Sequence, residues 1–321
     1  MRTESKATNG DANTRQAPPS GQAVKAAPEK LSKRMTVEQA YQEILRNCLN
    51  QIQANRDVVA NKKDIESLHQ MRVGLRRLDS ALDLFGDFFS LPKKIRQDLD
   101  WLGEQLGAAR DWDVLRESTL PYIADAVGDT SRLSRIEAAA AEKSVERHNA
   151  VATAVTSAKY ARLMQDFNYW LQSCGWRDAL PEKTPRPLTA RIPDLAHDLL
   201  SHAQRRLCKR GKRLPDATPK ARHKVRIAAK KARYAAEFFE SLLAKKAARR
   251  YIKTISGLQD ELGRLNDMSV ADHLLKDLTR QRADLLESTS FIRGYLAAYT
   301  ESEAGNIQSL WKKFSQSRLP H

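Results

Sequence analysis

Along most of this chain apolar residues recur at three- and four-residue steps, the spacing of one face of an α-helix. Tyr41, Ile44, Leu45, Cys48 and Ile52 mark a first helix, opened by Thr36 with Gln39 three residues on, the signature of a capping box. Met71, Leu75, Leu78, Leu82 and Phe85 mark a second, which Leu91-Pro92 ends, since proline disfavours the helical region for its predecessor. A third pattern covers 93–120 and is interrupted by Pro121 and Gly128. An Ala-rich pattern spans 132–172 with a break near Ala158. Residues 173–193 hold Gly175, Pro181, Pro185, Pro187 and Pro193 and form the clearest linker. A helix restarts near Asp194, a plausible cap, with Leu195, Leu199, Leu200 and Leu207 on its core face. Further helical patterns cover 222–239, 244–265, 268–285 and 289–315, while loops are expected at 61–64 and 208–224. No period-two alternation bounded by turn residues is present, so the fold class is all-α.

Two of these helices match each other. Residues 222–239 repeat 68–85 with His223 on His69, Arg226 on Arg72, Ile227 on Val73, Lys230 on Arg76 and Lys231 on Arg77, an offset of 154. Such a distance suggests a duplicated unit rather than a short solenoid repeat. At about 100° per residue, the apolar seam of the first copy leaves His69, Arg72, Arg76 and Ser80 on the opposite side. In the second copy Val225, Ala229, Ala232, Ala236 and Phe239 form the seam, and His223, Arg226, Lys230 and Tyr234 oppose it. A single basic face is ordinarily a solvated one; duplication with the histidine held in place argues for a shared task. A second matched pair follows, Leu106-Gly107 to Asp111 and Leu262-Gly263 to Asp267, at an offset of 156.

Charge narrows the partner. The 321 residues hold 55 Lys and Arg against 39 Asp and Glu, a formal charge of +16. That favours a polyanion: nucleic acid, an acidic membrane surface or a phosphate polymer. Cys48, Cys174 and Cys208 are far apart and odd in number, which suits neither a disulfide framework nor a zinc cluster, and a reducing compartment is expected. No apolar run approaches the roughly 20 residues of a membrane span, and the N-terminus lacks a secretory signal. Residues 1–33 carry few large apolar side chains and are expected to be a disordered basic tail.

The helix His-x-x-Arg-[Val/Ile]-x-x-[Lys/Arg]-[Lys/Arg] followed by Leu-Gly-x-x-[Arg/Asn]-Asp, twice in one chain, resembles the CHAD family, a histidine-containing all-helical domain. The resemblance spans residues 34–318, with a first half at 34–172 and a second at 194–318. It implies two pseudo-symmetric helical bundles flanking a basic central channel that binds inorganic polyphosphate. An adaptor or targeting role at cytoplasmic polyphosphate granules follows as an expectation. Some members are fused to a triphosphate tunnel domain, and no segment of this sequence reads as one.

A polyphosphate presents closely spaced anionic oxygens and no base edges, so its receptor needs cations in a row: arginine forks and compact lysine charges. The candidates are His69, Arg72, Arg76, Arg77, His223, Arg226, Lys230 and Lys231, supplemented by Arg222, Lys224 and Arg233. Arg110, Arg116, Arg147, Lys159, Arg205, Arg206, Lys209 and Lys212 are expected to line the same channel, with His148 a further candidate. Asp79 and Asp83 dilute the first basic helix, so the second half is expected to contribute more affinity. The histidines are read as donors to phosphate oxygens that gain a proton beside the anion. The alternatives are a neutral structural histidine or a phosphoacceptor. His69 to Gly74 resembles a helical phosphotransfer motif, but Ala228 stands where the second copy needs its glycine. Asp111 and Asp267 are expected to orient arginines or cap a helix. Trp101, Trp112, Trp170, Trp176 and Trp311 read as core or interface rather than base-stacking platforms. No phosphate-cradling glycine loop, zinc spacing or nucleophile elbow is visible. A binding module is therefore expected, without cofactor or metal. The rivals are a nucleic-acid binder and a phosphotransfer or polyphosphate-processing enzyme.

Overall fold

A computed structural model describes residues 21–62, 64–127, 131–179, 188–212, 214 and 218–320. They form helices α1 (Val37–Ala54), α2 (Arg56–Lys62), α3 (Ile65–Leu84), α4 (Lys93–Val114), α5 (Leu120–Val127), α6 (Ser131–Thr156) and α7 (Ala158–Gln172). After the linker come α8 (Ile192–Gly211), α9 (Pro219–Phe238), α10 (Lys245–Gln281), α11 (Leu286–Ser302) and α12 (Ala304–Ser315). Among the described residues there is no strand, only an isolated bridge between Thr36 and Arg191; the all-α expectation holds.

Local chemistry explains the main starts. Thr36 and Gln39 form the expected capping box of α1. Asp64 caps α3 by accepting from the Ser67 N–H. Thr218 caps α9, with Pro219 in its first turn, where proline's missing donor costs nothing. Ser157 breaks the long Ala-rich pattern and caps α7.

Packing repeats in the same order twice. The basic helix α3 lies between α1 and α4, and α9 lies between α8 and α10. The two basic helices also touch each other. Phe85 and Phe239, which occupy matched positions, meet edge to face with ring centroids 6.2 Å apart. The starts of α1 and α8 exchange backbone hydrogen bonds: Val37 N–H donates to Ala190 O at 2.9 Å, and Ile192 N–H donates to Met35 O at 3.1 Å. Positions 155 apart thus trade equivalent bonds. Met71, Leu75, Leu78, Leu82 and Phe85 are all buried, as are Val225, Ala229, Ala232, Ala236 and Phe239. Both seams face the core, which gathers Tyr41, Phe85, Phe89 and Trp176 into one aromatic cluster.

Several boundaries differ from the sequence reading. The patterns at 244–265 and 268–285 are one continuous helix, α10. Both Leu-Gly motifs therefore sit inside helices rather than at their ends. At Gly107 a Cβ would meet Arg72 Nη2 at 3.8 Å, an ordinary contact, and at Gly263 it would meet nothing within 4 Å, so neither glycine is required by close helix approach. The pattern at 93–120 passes from α4 through a π-helical turn, Leu115–Thr119, into α5, where Pro121 takes an early position. Asp194 does not cap α8; it lies in the first turn of a helix that begins at Ile192, where an acid complements the positive end. The 289–315 pattern is divided into α11 and α12 at Glu303.

The expected disordered tail is also corrected over residues 21–33. Leu31 is buried in the core, and Asn55 exchanges side-chain bonds with Val24 N–H and O at 2.9 and 2.8 Å. The segment is a strap across α1 and α3, held by one apolar anchor and polar contacts to its main chain. Residues 1–20 lie outside the described ones.

Candidate polyanion-binding site

The cations that the two copies share meet between α3, α4, α9 and α10. Arg72 Nη2 stands 3.8 Å from Asp111 Oδ1, and at the matched positions Arg226 Nη2 stands 3.9 Å from Asp267 Oδ1. Each aspartate of the second motif thus orients the arginine of the first, as expected. Lys230 is half-buried beside Arg76, Arg226 and Arg72, and desolvation first, then those guanidiniums, push its ammonium down to about 6. Arg72 is shifted down by burial, then by Arg76, and Arg226 and Arg110 also act on it. Cations of both halves therefore repel one another in a partly desolvated space. The Arg76 and Arg226 Nε atoms are buried without a partner. Unpaired buried donors cost free energy, and an anion supplied there would satisfy them.

The histidines begin the two rows with different neighbours. His69 is half-buried; burial, then Arg110, lowers it from its ordinary value. At the matched place Asn266 replaces Arg110, and His223 Nδ1 lies 3.0 Å from Asn266 Oδ1. His223 and Arg222 also line a cavity of about 860 Å³ between α9, α10 and α11. Gly74 has a packing reason that is separate from His69: a Cβ there would fall 3.0 Å from Ile52 Cγ1. That weakens the likeness to a phosphotransfer motif.

Other candidates point elsewhere. Arg77 is buried, donating to Glu29 Oε1 at 2.8 Å and lying 3.5 Å from Glu237. Its matched residue Lys231 pairs with Asp83 at 2.7 Å. Asp83 and Glu237 are themselves 154 apart, so each basic helix reaches an acid on the other. Arg233 donates to Gln259 and Glu237 at 2.8 and 2.6 Å. Arg77 and Lys231 thus join the halves and Arg233 ties α9 to α10 within the second half, a correction to the placement of all three on the shared basic face. Tyr234 is likewise buried; its ring takes the Arg233 guanidinium at 4.6 Å. The acids expected to dilute the first half are engaged too, Asp79 with Arg96 at 3.0 Å and Asp83 with Lys231.

The peripheral cations scatter. Arg110 stays near His69. Arg116 pairs with Glu117, and Arg147 lies 3.9 Å from Glu146. Lys159 stands over the Trp101 ring and 3.6 Å from Asp98. Arg206 is 3.7 Å from Asp83. Arg205, Lys209, Lys212 and Lys224 are exposed. His148 is buried, its Nε2 2.9 Å from Asp113 Oδ1, and belongs to the joint of α4 with α6. Trp112, Trp170 and Trp176 are buried, while Trp101 and Trp311 pack partly buried against the core. Sequence reasoning missed Glu29 and Glu237, because nothing in a helical period reveals which acid a buried arginine will meet. No described helix is long and apolar enough to cross a membrane.

Comparison with known proteins adds the following. The family model described as "CHAD domain" matches residues 43–276. The crystal structure of the CHAD domain from the plant Ricinus communis is 36% identical, with a TM-score of 0.82, covering 95% of this chain and 99% of that one. PptA from Streptomyces chartreusis is 16% identical with a TM-score of 0.62, covering 88% and 99%; at that identity the likeness is one of fold. No curated protein matches the chain.

Proposed function

The chain belongs to the CHAD family, and from that premise we propose that it binds inorganic polyphosphate in a channel between its two matched halves. One observation carries the reading: Arg72, Arg76, Arg226 and Lys230 converge from both halves with Asp111 and Asp267 beside them. A chain of phosphates running between α3 and α9 meets arginine forks on both sides, and neutralises cations that otherwise repel. The two aspartates hold Arg72 and Arg226 in position. His69 and His223 extend the two rows, with Arg110 beside one and Arg222 beside the other.

The protein acts in this reading as a binding module, an adaptor at polyphosphate granules, and not as an enzyme. Nucleic acid is the rival polyanion, because it draws on the same charges. Calorimetric titration with polyphosphates of defined length, beside DNA and RNA at one ionic strength, tests the choice. Tight binding of polyphosphate with no phosphate release is the expected result. Equal affinity for DNA would overturn the ligand, and phosphate release would overturn the binding-module reading.

A further inference from the structure

The duplication leaves one place covered in the first half and open in the second. Asp113 of α4 is fully buried against α6, where Ser144 Oγ donates to it at 2.9 Å and His148 Nε2 lies at the same distance. By the α4–α10 offset of 156 its matched residue is Ser269, which is exposed. Leu68, fully buried at the start of α3, corresponds by the offset of 154 to Arg222, which is half-buried. Helix α2 packs on both α3 and α6 in the first half. Among the described residues no helix stands between α8 and α9. Ser269 and Arg222 both line the cavity of about 860 Å³ between α9, α10 and α11.

That cavity has an apolar floor and a charged rim. Leu262, Leu265, Met268 and Leu296 are buried and form the floor. Lys220 and Arg222 stand on the rim at the start of α9, and no described acid pairs with either. Arg293 is engaged within the wall, donating to Asp272 Oδ1 at 2.7 Å. With that pair set aside, Lys220, Arg222 and His223 face Glu301, so the rim favours an anionic group. Pockets that hold small molecules are commonly about 300–1,000 Å³ and mostly apolar, with a few polar groups that fix orientation.

We infer that this cavity binds a small amphiphilic anion, with an apolar or aromatic body on the leucine and methionine floor and one acid group against Lys220 and Arg222. Removing the body from water drives the binding. The acid group gives the ammonium and the guanidinium a charge-assisted partner. The matched place in the first half is filled by α6 and α2, so each chain has one such site. The inference does not depend on which polyanion the central cations bind.

Titration of the full-length protein with anilinonaphthalene sulfonate, an aromatic body carrying one sulfonate, tests it through the probe's fluorescence, with dodecanoate as competitor. Saturable binding of one probe per chain, displaced by dodecanoate, is the expected result. Gly294 lies on the wall where a Cβ would meet nothing within 4 Å, and phenylalanine is a better helix residue than glycine. Gly294→Phe should therefore keep its melting temperature while filling the space and weakening the probe by about tenfold, the scale of an overpacking cost. Lys220→Gln should weaken it about tenfold through the lost charged contact. Absence of saturable binding, or equal affinity in wild type and both variants, would overturn the site. Affinity that falls as the protein is concentrated would give the cavity to a second copy and overturn the small-ligand assignment. Displacement of the probe by polyphosphate, with Gly294→Phe binding as wild type does, would move the probe to the central cations and overturn it equally.

Discussion

The two halves differ least where α3 and α9 face the central cations and most at the flanks. Arg72 with Asp111 and Arg226 with Asp267 stand at 3.8 and 3.9 Å, nearly one geometry made twice. One step outward His69 has Arg110 for a neighbour, whereas His223 has Asn266. At the joint, Arg77 holds two carboxylates, Glu29 and Glu237, while Lys231 has Asp83. The halves therefore share the arginine–aspartate pair that orients a cation. They differ in how the histidine is held and in which acid closes the joint. The proposed function puts affinity in the shared pairs and stability in the divergent ones, and mutants separate the two.

The largest effect is expected from charge reversal in the shared set. Arg226→Glu with Lys230→Glu should weaken polyphosphate binding roughly a thousandfold, taking about 2 kcal/mol for each charge-assisted contact. The matched pair Arg72→Glu with Arg76→Glu should do the same within about threefold, since the acids of the first helix are engaged elsewhere. Titration of both double mutants decides whether the halves contribute equally.

Removal of residues 1–33 should come next. It strips Leu31 from the core and leaves Arg77 with Glu237 alone. Breaking a buried ion pair costs about 3 kcal/mol or more, read as a lowered urea midpoint, with polyphosphate affinity changed far less. An unchanged midpoint would mean that the strap is dispensable. Burial pushes the Glu29 carboxyl up to about 7, with Arg77 and Asn47 acting against it. A carboxyl raised in the folded state favours the fold below its unfolded value near 4.5, and that contribution is lost as pH rises through 7. Glu29→Gln should remove this part of the pH dependence.

A subtler effect separates Lys230 from its matched Arg76. The lysine is held at about 6 in the free protein, so it is largely neutral at pH 7. A bound polyanion raises it, and by linkage affinity should grow as pH falls from about 8 to about 6. For stability the sign is opposite. A lysine depressed in the fold costs most below pH 6 and nothing above its unfolded value of 10.5. Lys230→Met should therefore raise the melting temperature, weaken binding by about tenfold and flatten the pH slope. Lys230→Arg should restore affinity without the slope. An unchanged slope in Lys230→Met would transfer the titration elsewhere.

The smallest expected change is in the histidines. Burial and Arg110 hold His69 below its ordinary value, and a bound anion would act against both. His69→Gln should cut affinity about threefold at pH 6 and scarcely at pH 8. Equal loss at both values would make the histidine structural.

The sequence by itself determined the helical class, both buried seams, the capping box at Thr36 and the doubled Arg–Asp motif. These are local or periodic features: a 3.6-residue period states which face is apolar, and a repeat states which positions were copied. It also placed Arg72, Arg76, Arg226 and Lys230 opposite the seams. Tertiary structure alone decided which of the flanking cations stay with them. Arg77 and Lys231 lie next in sequence to members of the cluster, yet a turn of about 100° per residue sends them to the joint, where acids from the other helix meet them. The same holds for residues 21–33, whose composition is that of a tail. One leucine in the core and one glutamate on a buried arginine hold the segment down. Pairing energies depend on distance and on removal from water, and neither is written in the order of residues along a chain.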